Sequence, residues 1–123
     1  MDVENEVIFL GFIENIKSFY ESIDIFLLSS IWEGFGYVIA EAMAAKKAVV
    51  AYDISSNPEL IINNKTGFLV EKNKIETFVE KIEWFISNPA QIKLFGERGR
   101  NRVEDLFTIE KAYNNLLTFL RNC

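Results

Sequence analysis

Histidine is absent from the 123 residues, and the one cysteine, Cys123, comes last. A Ser-His or Cys-His nucleophilic centre within this chain is therefore excluded, and so are a disulfide framework and a cysteine metal cluster. Positive charge is also scarce. Thirteen Lys and Arg against 18 Asp and Glu leave a net charge of −5, which argues against broad nucleic-acid binding. No apolar run approaches the roughly 18 residues of a membrane span, so no transmembrane segment is expected. The opening "MDVENEV" is acidic where a secretory leader is basic, and the expected compartment is the cytoplasm. Repeats, low-complexity tracts and linkers are lacking too, and the length suits one modest domain. What the chain does have is apolar substance: half of it is hydrophobic, with 11 Phe to build a core.

Short apolar runs alternate with helical patterns. "VIFLG" (Val7–Gly11) reads as a strand buried on both faces. Asn15 to Ser22 reads as a helix, with Ile16, Phe19, Tyr20 and Ile23 at helical spacing. "DIFLLSS" (Asp24–Ser30) is expected as a second buried strand, "AVVAYD" (Ala48–Asp53) as a third and "GFLV" (Gly67–Val70) as a fourth. A turn at "SSNPE" leads to a short helical piece near Leu60, and "NNKTG" is a loop. Asn73 and Glu76 have the spacing of a capping box, ahead of an apolar stripe of Ile75, Phe78, Val79, Ile82, Phe85 and Ile86. Pro89 suits the first position of another helix, and Thr108 can cap a last one. Strand–helix alternation with continuous apolar strands predicts an α/β domain with a parallel sheet of about four strands flanked by helices.

The stretch "WEGFGYVIAEAMAA" (Trp32–Ala45) carries the chemistry. Ligands of open parallel sheets bind beyond the carboxyl ends of the strands, where this stretch begins. Gly34 and Gly36 let the backbone turn sharply, and free N–H groups around Phe35 to Tyr37 suit a phosphate at the helix start. Two such glycines can equally just shape a loop. Glu41 stands among Val38, Ile39, Ala40, Ala42, Met43, Ala44 and Ala45, which leave almost no solvated face. A helix of that kind is packed on most sides, and a carboxylate there needs partners. From Gly36 to Glu41 a helix rises about 7.5 Å, which sets the ribose of a nucleotide beside Glu41 when its phosphate lies at the tip. The residues alone leave this open against a plainer reading, in which Glu41 points to water through a gap or pairs with Lys46 or Lys47.

"WEGFGYVIAEAMAAKKAVVAYD" resembles the donor-site segment of retaining, GT-B-fold glycosyltransferases of group 1, the GT4 family. Their signature, two glutamates separated by seven residues, is met by Glu33 and Glu41. "FLGFIENIKSFYESIDIFLLSS" resembles the preceding strand–helix–strand, "NPELIINNKTGFLV" the following turn and strand, and "FGERGRNRVEDLFTIEKA" the C-terminal helices. The resemblance implies a Rossmann-like domain that takes a nucleotide-sugar donor and needs no essential metal or other cofactor. Glu41 is then the ribose ligand and Glu33 a contact of donor-sugar hydroxyls. The loop of Gly34, Phe35, Gly36 and Tyr37 meets the sugar and diphosphate through its backbone. No residue of this chain is assigned a catalytic role.

Where the family usually has glycines before its Pro-Glu turn, this chain has "SSNPE". The family's diphosphate-binding Arg/Lys pair and active-site histidine have no counterpart here. Residues 1–123 are thus expected to be an incomplete C-terminal nucleotide-sugar-binding domain, completed by an N-terminal GT-B domain or a second chain. The alternatives are one half of a split glycosyltransferase and a non-catalytic, Rossmann-like interaction module. The complete enzyme is expected in the cytoplasm or peripherally at a membrane. The family's sheet order, 3-2-1-4-5-6, leaves Asp24–Ser30 with an open edge, expected to be covered by Val7–Gly11 or by a second copy. Tyr113, Leu117 and Phe119 are expected to be partly exposed. Arg98, Arg100 and Arg102 read as a solvated face balanced by Glu97, Glu104 and Asp105. Glu59 reads as a first-turn residue favoured by the helix dipole, Asp24 as a strand terminator, and Trp32 as packing.

Overall fold

A computed structural model describes residues 6–11, 14–29, 37–54, 57–106 and 120. Its elements are α1 (Ile16–Glu21), β1 (Ile25–Leu28), α2 (Tyr37–Ala44), β2 (Ala48–Tyr52), α3 (Asn57–Leu60), β3 (Gly67–Val70), α4 (Ile75–Ser87) and α5 (Pro89–Leu106). The strands form one parallel sheet in the order β1-β2-β3, with Ile25 opposite Ala48 and Val49 opposite Gly67. This is the expected α/β architecture, with three strands among the described residues where about four were expected.

Burial explains the order. All five residues of β2 are buried, as its unbroken apolar sequence requires of a central strand. Successive side chains serve opposite faces. Val49 and Ala51 join Tyr20, Ile39, Ala42, Met43, Leu60 and Ile61 on one side. Ala48, Val50 and Tyr52 join Phe68, Val70, Phe78, Phe85 and Phe95 on the other. Helix α5 serves both: Ile92 and Phe95 pack on the second cluster, Val103 and Leu106 on the first.

Local chemistry sets several boundaries. Asn15 caps α1 by accepting from the Ser18 N–H at 3.0 Å. Pro89 occupies the first position of α5, where its missing N–H costs nothing. Asn57, fully buried, donates to the Tyr52 carbonyl at 2.8 Å and fastens α3 to the end of β2.

Four expectations need correction. Residues 7–11 form no strand, and Val7, Ile8, Phe9 and Leu10 are exposed. A strand exists through its ladder, and among the described residues nothing pairs with this segment. It therefore does not cover β1, whose outer edge is unpaired among the described residues and whose Leu27 is exposed. Nor is β1 buried on both faces, since three of its residues are only half-buried. Asn73 is no cap: it adopts a left-handed φ of 68°, and Lys74 begins α4 without a side-chain cap bond. The stripe expected on α4 is present, with Phe78 and Phe85 buried along it while Ile75, Val79 and Ile86 stay exposed.

Candidate functional site

Helix α2 is held at its C-terminus by three devices. Its chain reverses through Lys46, at φ 64°, with the Lys47 N–H donating to Ala42 O and the Lys46 N–H to Met43 O, both at 3.0 Å. That is a Schellman closure with lysine in the position glycine usually takes. Gly96 of α5 lies so close that a Cβ there would collide with the Lys46 carbonyl oxygen, and Gly99 lies against Met43. Arg100 donates from Nη1 to the Ala44 carbonyl at 2.6 Å, placing a cation at the negative end of the helix dipole.

With Ile39, Ala42 and Met43 buried, Glu41 emerges on the outer side of α2, where it is exposed. Its partner is Tyr20, whose hydroxyl lies 3.2 Å from Glu41 Oε2 and 3.2 Å from Val38 O. Burial, then the Glu41 charge, then the hydrogen bond to it push the Tyr20 hydroxyl up to about 12. Both side chains line an open cleft of about 530 Å³ with Ile16, Ala44, Lys46 and Arg100.

The packed helix expected around Glu41 is present, but the carboxylate is not enclosed by it. It reaches water beside α1, and among the described residues it forms no ion pair with Lys46 or Lys47. Of the other sequence-predicted site residues, Tyr37 begins α2. Glu33, Gly34, Phe35 and Gly36 lie outside the described residues, as do Trp32, Thr108, Tyr113, Leu117 and Phe119. Glu59 stands in the first turn of α3 with its side chain exposed, and Asp24 immediately precedes β1. Among the described residues no group of three His, Cys, Asp or Glu side chains is placed to hold a metal ion. None of the described helices is long and apolar enough to cross a membrane.

The arginines are not simply solvated. Arg100 pairs with Glu104 at 2.7 Å, as charge balance suggested, yet it also ties α5 to α2. Arg102 donates to the Leu60 and Glu59 carbonyls, both at 2.8 Å, and so ties α5 to α3. Arg98 lies over the Phe95 ring. Two residues apart on a helix means about 200° around it, which sends Arg100 and Arg102 to different partners. Sequence spacing could not identify those partners, because they are backbone carbonyls 56 and 42 positions away. Tyr20 was missed as a site residue because it fits the apolar stripe of α1.

The family model described as "Glycosyl transferases group 1" matches residues 1–102. The lipopolysaccharide core biosynthesis mannosyltransferase LpcC of Rhizobium leguminosarum bv. viciae is 33% identical over 122 residues, covering 94% of this chain and 35% of that protein. The chain spans about a third of the length of the curated relatives it matches. Among solved structures, S. aureus TarM, as a mutant in complex with Fondaparinux, alpha-GlcNAc-glycerol and UDP, superposes with a TM-score of 0.88 at 28% identity. That match covers 94% of this chain and 24% of TarM. The C-terminal domain of a glycosyl transferase group 1 family protein (LpcC) from Francisella tularensis gives a TM-score of 0.78 at 32% identity, covering 87% and 56%.

Proposed function

The chain belongs to the group 1 glycosyl transferases, and on that premise we propose that it forms the donor-nucleotide-binding part of an enzyme that transfers a sugar from a nucleotide sugar to an acceptor with retention of configuration. Glu41 accepts hydrogen bonds from the ribose hydroxyls. Glu33 meets donor-sugar hydroxyls, and the backbone of Gly34, Phe35, Gly36 and Tyr37 meets the sugar and diphosphate at the positive end of α2. By the same family resemblance the donor site works without an essential metal, and an N-terminal domain or second chain completes it in the cytoplasm.

One observation carries the reading: the Glu41 carboxylate stands at a cleft of about 530 Å³ on an otherwise packed helix, hydrogen-bonded by a buried phenol. The UDP of the TarM complex supports a nucleoside diphosphate as the ligand class. The mannosyltransferase relative supports a role in cell-surface polysaccharide assembly. A second reading, a non-catalytic association module, is favoured by the edge of β1, unpaired among the described residues, and by the exposed Val7, Ile8, Phe9 and Leu10.

Calorimetric titration with UDP, GDP and ADP separates the two. One nucleotide is expected to bind weakly, near millimolar or roughly 4 kcal/mol, and more weakly still to Glu41→Ala. Equal binding by both proteins sinks the ribose role of Glu41. No binding of any of the three, with a stable homodimer, favours association instead.

A further inference from the structure

The ribose role proposed for Glu41 raises a question of aim. A glutamate on the exposed side of a helix has three rotatable bonds, whereas a ligand for two adjacent hydroxyls must hold one orientation. Lys17, Lys46 and Arg100 also line the cleft, but none is bonded to Glu41. Lys17 pairs with Glu21 at 3.9 Å, and Arg100 is engaged by Ala44 O and Glu104. The group that does reach the carboxylate is the Tyr20 hydroxyl.

Resting on that reading of Glu41, we infer that Tyr20 is a positioning residue, whose phenol fixes Oε2 of Glu41 and leaves Oε1 to accept from the ribose of a nucleoside diphosphate. The phenol is rigidly placed for this. Tyr20 is 5% exposed, and its ring centroid lies 5.2 Å from that of Phe19 and 5.8 Å from that of Phe26. The short helix beneath it is fixed at both ends, by the Asn15 cap and by Ser22 Oγ donating to Phe19 O at 2.7 Å. One hydroxyl proton faces two acceptors at equal distance. The carboxylate is the stronger, and Val38 O already has the place of an acceptor in the α2 ladder. A phenylalanine would fill the same ring site, so the hydroxyl is what remains to be explained. Unlike a lysine, a neutral phenol orients the carboxylate without cancelling its charge, which keeps Oε1 a strong acceptor. A phenol is a donor throughout the physiological range, and here its ionisation is pushed up further by burial and by Glu41.

The test is a four-protein cycle, with UDP titrated calorimetrically into wild type, Tyr20→Phe, Glu41→Ala and the double variant. Tyr20→Phe is expected to weaken UDP about threefold to tenfold while Glu41 is present, and to change nothing in the Glu41→Ala background. In parallel, NMR titration of the Tyr20 ring is expected to show its ionisation falling below about 12 in Glu41→Gln, a shift that ring packing alone would not produce. Should Glu41→Ala weaken UDP while Tyr20→Phe does not, or should both backgrounds lose equally, the positioning role is overturned and the ribose role of Glu41 survives. Should Glu41→Ala bind UDP as well as wild type, the ribose role fails and takes the inference with it. If Tyr20→Phe does not fold, the ring titration in Glu41→Gln decides, and an unmoved Tyr20 overturns the inference.

Discussion

Phe68, Trp84, Phe85 and Phe95 crowd one face of the sheet with ring centroids 5.1 to 5.7 Å apart, whereas the opposite face, under α2, is mainly aliphatic, with Ile39, Met43, Val49, Leu60 and Ile61 packed around Tyr20. The aromatic face gains its stability from area, since large rings bury much surface. The α2 face also buries apolar area, and it holds its backbone by short ties as well. Glycines admit α5 to close range, two arginines tie carbonyl ends, and a phenol restrains the one outward carboxylate. The difference teaches where stability and aim are separately encoded: damage to the rings should unfold the protein, while damage to the ties should misplace Glu41.

The largest break in that contrast is Phe85→Ala. Phe85 is fully buried among three other rings, and its loss is expected to cost about 3–5 kcal/mol in urea unfolding. The folded fraction should keep its UDP affinity. Gly96→Ala should do the reverse in proportion. Overpacking against the Lys46 carbonyl costs about 1–3 kcal/mol, and UDP affinity should fall as α2 moves off α5. Unchanged UDP binding in a destabilised Gly96→Ala would show that α5 does not aim the site. Lys46→Gly relieves a left-handed lysine, and a gain of about 1 kcal/mol is expected in the same unfolding assay.

A further effect is one of pH. Folding raises the Tyr20 hydroxyl from its ordinary 10 to about 12, so its neutral form is the one the native state favours. The stability this contributes is complete below pH 10, declines as pH rises from 10 to 12, and is lost above that. Urea midpoints across this window should fall with pH in wild type and fall less in Glu41→Gln. Parallel curves would mean that burial alone, and not Glu41, holds the proton.

Sequence periodicity revealed the interior better than the edges. "AVVAYD" and "GFLV" read as buried strands because each holds an unbroken apolar run, and β2 and β3 are where that reading put them. "VIFLG" carries the same signal, yet a strand also needs a partner, and pairing is a property of the rest of the sheet. Asn73 has capping spacing, but its backbone angle assigns it to the turn. Glu41 was legible as an anomaly: a lone carboxylate in an apolar helix. Its partner was not, since Tyr20 sits 21 positions earlier in a stripe that reads as plain core. The arms of Arg100 and Arg102 end on carbonyls, which no pattern of side chains announces.

The contrast between faces is tested most directly by mapping amide NMR shifts while UDP is added to the full chain. A second cleft of about 420 Å³ lies beside Phe68, Lys81 and Trp84 on the aromatic face, so both faces offer a place to bind. The expected result is movement at Tyr20, Glu41, Ala44 and Ala45, with Phe68, Trp84 and Phe95 silent. Shifts that gather around Trp84 and leave Glu41 unmoved would contradict the assignment of the α2 face as the nucleotide surface.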